Sequence, residues 1–374
     1  MKRSEIKKAQ RWVIKVGSSL VTESGQGLNS NLIRQWSDQV KDLRTEGIEI
    51  IWVSSGSVAA GMQRLSWQKR PNSLHELQVA AAVGQASLIR CYEDTFARHS
   101  ITTAQVLLTH ADFENRQRYL NACATFRSML ELKLLPIVNE NDTVAVDEIR
   151  FGDNDSLAAM VADLIDADLL VILTDQKGLY DANPRDNSSA NFISIAKAGD
   201  EKLMAYASGG GELGMGGMLT KLKAARIASR TGASTVIANG RLDSVLQSIY
   251  AGSEVGTLLV SDQNNIGARK KWIANQLHVK GQLMLDDGAV RVLKESGKSL
   301  LPIGVTHVSG KFERGELVSC IDNEKNEIAR GLVNYASSEA QKIIGKKSNN
   351  ISSILGYIGD FELIHRDNLV LSLI

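Results

Sequence analysis

The first two-thirds of the chain alternate between short apolar runs and longer segments with apolar residues at helical spacing. Runs typical of buried strands, which lead into small or polar residues, occur at 12–16, 48–56, 102–108, 134–138, 167–175 and 234–238. The segments 29–46, 75–98 and 113–132 have the periodicity or the alanine content of helices. Strands separated by helices need crossover connections, so the pattern predicts an α/β domain with a mainly parallel sheet covered on both faces.

The pattern changes after residue 260. A polar, glycine-containing stretch is followed by short β-like runs, among them GQLMLDDGAVRVL (281–293), which DDG, SG and DNEKN interrupt. We therefore predict an α/β domain over 1–262, a linker over 263–277 and a second domain over 278–366. The short runs predict a small β-barrel with one or two short helices for that second domain.

Composition narrows the class of protein. The 374 residues include 43 basic and 42 acidic side chains, so no overall charge attracts nucleic acid or an anionic membrane. No apolar run approaches the length of a membrane span, and no secretory signal follows the basic start. The three cysteines are widely separated and form no CxxC pair, which favours a reducing compartment. We predict a cytoplasmic protein.

Candidate chemistry lies where the predicted strands end, because ligands of open parallel sheets bind at the carboxyl ends of the strands. These ends carry GSS (17–19), SSG (54–56), NEND (139–142) and TD (174–175). Small residues allow phosphate oxygens to approach backbone N–H groups. Lys15 within a buried strand would need an anion such as a phosphate. The alternative is an edge strand from which Lys15 reaches solvent.

A second candidate is the glycine-rich segment GGGELGMGGMLTKLKAARIA (209–228). It matches G-x-G-x-x-G, but no strand precedes it, so the dinucleotide-binding interpretation is excluded, and the chain contains no Walker motif. A glycine loop that leads into a helix can still place N–H groups and the Lys221 ammonium on phosphates. A surface loop followed by an ordinary helical lysine is the alternative.

The most polar stretch is NENDTVAVDEIRFGDND (139–155). Asp153 and Asn154 could cap a helix, but capping needs only one such residue. The remaining carboxylates and amides suit either an amino-acid ligand or Mg²⁺ that arrives with ATP. The six histidines have no metal-ligand spacing, and none lies within these strand-end motifs. This favours a carboxylate as phosphate acceptor, because a carboxylate is already ionised and needs no general base.

Several motifs, in their order along nearly the whole chain, resemble the amino acid kinase superfamily and, within it, the glutamate 5-kinase family. They are VIKVGSSLVT, VSSGSVAAG, VNENDTVAVDEI, FGDNDSLAA, LLVILTDQKGLYDANPR and GMGGMLTKLKAA. GKSLLPIGV, FERGE and LGY…HRDN resemble the PUA module often attached to bacterial members. The resemblance implies a three-layer α/β sandwich with a PUA-like domain. It also implies ATP-dependent phosphorylation of the L-glutamate γ-carboxylate, the first step of proline biosynthesis.

The resemblance also implies roles for single residues. Lys15 and Lys221 would contact the ATP phosphates, with Asp155 orienting both lysines. L-glutamate would be held by Ser55, Asp142 and Asn154. The ATP site would comprise Lys15, Gly17, Ser18, Thr174, Asp175, Met215, Gly216, Gly217, Met218, Leu219, Thr220 and Lys221. Mg²⁺ would accompany ATP, and no residue is assigned as its ligand. Met215 departs from the family pattern, because many relatives have Thr there.

The resemblance further implies proline as a feedback inhibitor and a homo-oligomer, either dimer or tetramer. One alternative is another kinase of the superfamily, acting on aspartate, N-acetylglutamate, carbamate or UMP. The other is an RNA-binding or RNA-modifying factor that acts through the PUA-like domain. The balanced charge and few aromatic residues of 278–366 do not favour RNA.

Overall fold

A computed structural model describes most of the chain, namely residues 1–23, 27–145, 154–184, 187, 189–208, 217–261, 279–357 and 359–372. The chain divides into two compact units. The first comprises Met1–Asn115 and Asn121–Asn265, and the second comprises Arg116–Leu120 and Ile266–Ile374. The predicted linker, 263–277, lies outside the described residues, and the predicted domain boundaries stay predictions. None of the described helices combines the length and apolarity needed to cross a membrane.

The strands of the first unit follow the predicted runs. They are β1 (Arg11–Val16), β2 (Thr22–Glu23), β3 (Gly27–Leu28), β4 (Glu49–Ser54), β5 (Thr103–Leu108), β6 (Leu135–Glu140), β7 (Leu169–Thr174), β8 (Leu179–Tyr180), β9 (Phe192–Ile193), β10 (Ile195–Lys197), β11 (Ser234–Asn239) and β12 (Thr257–Val260). Eight of them form one sheet of order β10-β12-β11-β7-β1-β4-β6-β5. The pairs are parallel except β11 with β12, so the predicted, mainly parallel sheet is confirmed.

Helices connect these strands. They are α1 (Ser18–Val21), α2 (Ser30–Thr45), α3 (Ser57–Arg64), α4 (Leu74–Ala97), α5 (His110–Glu114), α6 (Arg116–Glu131), α7 (Asn154–Leu164), α8 (Lys202–Ser208), α9 (Met218–Thr231) and α10 (Val245–Tyr250). The three long predicted helices correspond to α2, α4 and α6. Asn29 begins α2 as a cap, because its side chain accepts from the Leu32 N–H at 3.0 Å.

The two faces of the central sheet have different surroundings. Alternate residues of β1 and β4, including Ile14 and Trp52, belong to a buried cluster with α2, α4 and α10. The rings of Trp36, Tyr92 and Phe96 lie 5.8–6.4 Å from Trp52, centroid to centroid. Neighbouring strand residues point to opposite faces. Residues such as Val13 and Lys15 therefore face away from this cluster, and α7 contacts β1, β4, β6 and β7.

Two glycines let α3 and α4 pack in close contact. A Cβ on Gly61 would lie 1.7 Å from the Ala80 carbonyl oxygen, and one on Gly84 would lie 1.8 Å from the Ser57 carbonyl oxygen. Only hydrogen fits at either position. This packing fixes α4 against the start of α3, directly after the strand end at β4.

The second unit contains a five-stranded sheet of order β14-β13-β15-β16-β17. The strands are β13 (Gly281–Leu285), β14 (Val305–Gly310), β15 (Leu317–Ile321), β16 (Glu327–Leu332) and β17 (Leu369–Leu371). Only β13 and β15 pair in parallel. The helices are α11 (Asp287–Ser296), α12 (Ser337–Ile343) and α13 (Ile351–Leu355). A cavity of about 710 Å³ lies beside α11, between Val292, Leu301 and Arg366.

Two expectations for this unit are wrong. The described residues of the second domain contain three α-helices, α11 to α13, rather than one or two. The segment 281–293 is not β throughout, because β13 ends at Leu285 and α11 begins at Asp287. Asp286 caps this helix by accepting from the Ala289 N–H at 2.6 Å. The DDG motif is therefore a helix start and not a turn between strands.

Candidate active site

Lys15 lies on a central strand. β1 pairs with β4 on one side and with β7 on the other, and Lys15 stands in register with Val53 and Ile172. Its side chain is 4% exposed. The alternative that Lys15 reaches solvent from an edge strand is therefore excluded, and its ammonium needs an anion inside the protein.

Asp155 supplies that anion. It lies in the first turn of α7, the helix that covers this face of β1, and it is completely buried. The Lys15 Nζ lies 2.5 Å from Asp155 Oδ1. The strand pairing thus fixes the position of Lys15 along the sheet, and the start of α7 places the carboxylate next to it.

A second lysine binds the other oxygen of the same carboxylate. Lys221 in α9 donates from Nζ to Asp155 Oδ2 at 3.1 Å, and Thr220 Oγ1 lies 2.8 Å from that oxygen. Burial alone would raise the pKa of Asp155, but Lys15 and Lys221 outweigh burial and hold the pKa at about 2. We call Lys15, Asp155 and Lys221 the charge triad. It has two ammonium groups and one carboxylate, and hence a net positive charge.

Three of the residues predicted for ATP lie at or directly after neighbouring strand ends. The Gly17 N–H after β1 donates to the Leu173 carbonyl of β7 at 3.2 Å, which ties the two ends together. Thr174 ends β7 and is buried, whereas the next residue, Asp175, is exposed. The Thr174 hydroxyl donates to Asp175 Oδ1 at 3.1 Å. The structure brings these groups to the same edge of the sheet as Lys15.

The other described residues predicted for ATP lie at the starts of two helices, α1 and α9. Ser18 begins α1 and is exposed, and Gly217 precedes α9. The first turn of α9 contains Met218, Leu219 and Thr220, all partly buried. Met215 and Gly216 lie outside the described residues. The ATP-binding role of all these residues stays a prediction.

Asn154 lies at the centre of a cluster of amides. The two hydrogens of its Nδ2 are shared among three acceptors, namely the Ser54 carbonyl and Ser55 Oγ, both at 3.0 Å, and Asn139 Oδ1 at 2.9 Å. Asn154 is fully buried, and it directly precedes Asp155. Ser55 and Asn154, both predicted to bind the substrate L-glutamate, are therefore in contact with each other, next to the charge triad.

Asp142, the third residue predicted to bind L-glutamate, has a different hydrogen-bond partner. Its Oδ2 accepts from Ser57 Oγ at 3.0 Å, at the start of α3. The pKa of Asp142 is raised to about 6, mainly by burial and also by the nearby Glu140 carboxylate, while the Ser57 hydrogen bond opposes the rise. A carboxylate with a raised pKa beside a buried polar cluster is typical of a functional site.

Several residues of this region have no assignment from the sequence. Asn139 was only part of the polar stretch, yet it accepts from Asn154 and donates to Gln85 Oε1 at 2.8 Å. The Glu140 carboxylate is 2% exposed and has no hydrogen-bond acceptor role among the described residues, although His110 Nδ1 lies 3.7 Å from it. Their polarity within a buried strand end is the signal that identifies them.

The arrangement suits transfer of a charged group. The charge triad offers ammonium groups to an anion, and the amide cluster beside it offers hydrogen bonds to a small polar molecule. Within the described ranges, no group of three or more His, Cys, Asp or Glu side chains is arranged to hold a metal ion.

Comparison with known proteins agrees with this chemistry. The sequence model of the Amino acid kinase family matches residues 10–239, and that of the PUA domain matches residues 281–355. Proteins named glutamate 5-kinase from Hahella chejuensis and Nitrosococcus oceani are 55% and 56% identical over 370 residues. These matches cover 99% of this chain, and 96% and 99% of the two relatives.

A solved structure shows the same fold. A carbamate kinase from Giardia lamblia bound to AMP-PNP superposes with a TM-score of 0.51 at 15% identity. The match covers 68% of this chain and 100% of the carbamate kinase. The three-layer α/β fold expected for the first part of the chain is confirmed.

Proposed function

Because the chain belongs to the amino acid kinase family and groups there with the glutamate 5-kinases, we propose that it phosphorylates L-glutamate. An oxygen of the γ-carboxylate attacks the γ-phosphorus of ATP, and the bond from that phosphorus to the ADP oxygen breaks. The products are ADP and γ-glutamyl phosphate. This reaction is the first step of proline biosynthesis.

The observation that carries the proposal is the buried charge triad beside the amide cluster. Phosphoryl transfer depends mainly on positioning and on charge stabilisation. Lys15 and Lys221 hold their ammonium groups on the two oxygens of one carboxylate, so their positions are set before a phosphate arrives. The proposed role of Asp155 is this orientation, and the lysines stabilise the charge of the transferring group.

The acceptor needs no general base. The γ-carboxylate of glutamate is ionised at neutral pH, because the reference pKa is about 4.3. We assign Ser55, Asp142 and Asn154 to this substrate. The negative charge of Asp142 suits the α-ammonium group, and the amide cluster suits the polar ends of an amino acid.

The competing interpretations have less support. Relatives that are 54–56% identical over almost the whole chain are named glutamate 5-kinase, which does not favour a kinase for aspartate, N-acetylglutamate, carbamate or UMP. The same full-length similarity does not favour an RNA-binding or RNA-modifying factor.

Further parts of the proposal extend beyond the reaction. Mg²⁺ enters with ATP and supplies positive charge to its phosphates. Proline inhibits the enzyme at or near the glutamate site, the protein forms a homo-oligomer, and it acts in the cytoplasm. Glutamate kinase activity that stays unchanged in millimolar proline would remove the regulatory part and leave the reaction intact.

The reaction is tested with the purified chain, Mg-ATP and hydroxylamine, which traps acyl phosphates as hydroxamates. Glutamate, aspartate, N-acetylglutamate, carbamate and UMP are supplied separately, and ADP release reports any kinase. We expect hydroxamate with glutamate alone. Lys15→Ala and Lys221→Ala should each lower kcat by about 10²-fold or more. ADP release with another acceptor and not with glutamate would refute the proposed substrate.

A further inference from the structure

Four side chains from four separate elements form a connected row of hydrogen bonds. Gln85 in α4 accepts from Asn139 at the end of β6, over 2.8 Å. Asn139 accepts from Asn154 in α7 over 2.9 Å, and Asn154 donates to Ser55 after β4 over 3.0 Å. Neither Gln85 nor Asn139 is among the residues that the family resemblance assigns to the substrate.

Two backbone groups fix which end of each amide is oxygen and which is nitrogen. The Glu140 N–H can only donate, and it donates to Asn139 Oδ1 at 2.9 Å. The Ser54 carbonyl can only accept, and it accepts from Asn154 Nδ2 at 3.0 Å. Side-chain amides are otherwise ambiguous in orientation. Here a reversed Asn139 would place its NH₂ against the Glu140 N–H, and a reversed Asn154 would place its oxygen against the Ser54 oxygen.

This fixed polarity passes along the row. Because Asn139 must accept from Glu140, its Nδ2 is directed to Gln85, and Gln85 must present Oε1. Because Asn154 must donate to Ser54, both hydrogens of its Nδ2 are taken by the acceptors of the row. Its Oδ1 therefore points away from these acceptors. That Oδ1 is buried and has no hydrogen-bond partner among the described residues. An unpaired buried acceptor is costly, so the site is built to receive a donor.

We propose that Gln85 is a positioning residue of the amino-acid pocket, which acts through Asn139 to hold the Asn154 oxygen ready to accept a hydrogen bond from the α-ammonium group of the substrate. This inference rests on the proposed function, since it takes glutamate as the ligand. Gln85 itself does not touch the substrate. Its acceptor acts together with the Glu140 N–H to keep the Asn139 amide from rotating. Asn139 and the Ser54 carbonyl then together keep Asn154 in one orientation.

The location of Gln85 suits this role. It follows Gly84, whose close contact with the Ser57 carbonyl fixes this turn of α4 against α3. Gln85 is partly buried, and its Oε1 faces an amide that is 1% exposed. The acceptor is therefore held by a rigid helix contact and not by a loop.

The experiment compares Gln85→Leu, which removes the acceptor at similar size, with Gln85→Glu, which restores a carboxylate oxygen for Asn139 Nδ2. We expect Gln85→Leu to raise KM for glutamate about tenfold, the effect of one lost hydrogen bond, with a smaller change in kcat and in KM for ATP. Gln85→Glu should recover most of that loss. Gln78→Leu is the matched control, because Gln78 lies two turns earlier on α4 and contacts His75 instead.

Glutarate separates positioning from general damage, because it is glutamate without the α-ammonium group. Its inhibition constant should be the same in wild type and Gln85→Leu. Equal weakening of glutamate and glutarate, or a KM for glutamate within about twofold of wild type, would overturn the inference while the proposed reaction stands. A wild-type protein that does not phosphorylate glutamate would refute the proposed function itself, and this inference with it.

Discussion

Asp155→Asn tests the charge triad most directly. The substitution keeps the size of the side chain and removes its charge. It leaves two ammonium groups buried side by side, with side chains 4% and 6% exposed, and without the carboxylate that now lies 2.5 Å and 3.1 Å from them. A buried charge without its partner is costly, so the loss should appear in the free energy of unfolding.

Two estimates give a similar magnitude. Removing one partner of a buried ion pair costs about 3–5 kcal/mol, because the other charge stays buried. A pKa near 2 in place of the ordinary 3.8 means that the surroundings favour the ionised form of Asp155 by about 2–3 kcal/mol. We therefore expect Asp155→Asn to lower the free energy of unfolding by about 3 kcal/mol at pH 7.

The assay is urea unfolding followed by tryptophan fluorescence. Trp12, Trp36 and Trp52 are fully buried in the first unit, so their emission follows the unit that contains the triad. Asp42→Asn is the matched control. The Lys41–Asp42 pair has the same 3.1 Å separation as Lys221–Asp155, but its side chains are 51% and 53% exposed. Such pairs contribute about 0–1 kcal/mol.

The pH dependence provides an independent check on the same variant. The pKa of Asp155 is lower in the folded protein, so its contribution is complete above 3.8 and is lost as the pH falls towards 2. The difference between wild type and Asp155→Asn should narrow in that range. A loss below about 1 kcal/mol at pH 7, or one no larger than that of Asp42→Asn, would refute the account of the triad.

Two other substitutions test neighbouring features. The pKa of Asp142 is raised to about 6, so folding is less favourable with the carboxylate ionised, and the stability present below pH 3.8 is lost as the pH rises through 6. Asp142→Asn should therefore raise the free energy of unfolding at pH 7 but not at pH 4. In wild type we expect KM for glutamate to rise below pH 6, and Asp142→Asn should remove this rise. Equal stability of both proteins at both pH values would contradict this. Gly84→Ala should lower the free energy of unfolding by about 1–3 kcal/mol, because its Cβ would lie 1.8 Å from the Ser57 carbonyl oxygen. Gly199→Ala is the control, since no atom lies within 4 Å of its added Cβ, and the two variants behaving alike in urea would contradict the packing argument.

The sheet was predictable because buried strands leave a local signal. Each predicted run in the first part of the chain corresponds to a strand, and the strand ends do meet at one edge. Helix α3 was missed, since Ser57–Arg64 is short and rich in small residues. It is held by close backbone contact with α4, at positions where Gly61 and Gly84 leave room. Contacts of this kind depend on the partner helix and leave no period in the sequence.

The site was predictable only in part, for a related reason. Lys15 and Lys221 were candidates from the strand and glycine-loop patterns, whereas Asp155 and the roles of all three came from family resemblance. The structure adds that one buried carboxylate contacts both lysines. Gln85 had no local signal at all. It lies in an alanine-rich helix, 54 positions from the Asn139 amide that it contacts. Only the folded chain brings them together.

The central position of Lys15 has a consequence for protein engineering. Its height is set by parallel pairing with β4 and β7, and loop changes do not alter that register. The groups proposed to hold the acceptor stand at the ends of β4 and β6 and at the start of α7. A library that aims at a different carboxylate substrate can therefore vary the loops after β4 and β6 while β1 and α9 stay constant. Changes of specificity should then lower the rate of phosphoryl transfer only slightly, as long as Asp155 is retained.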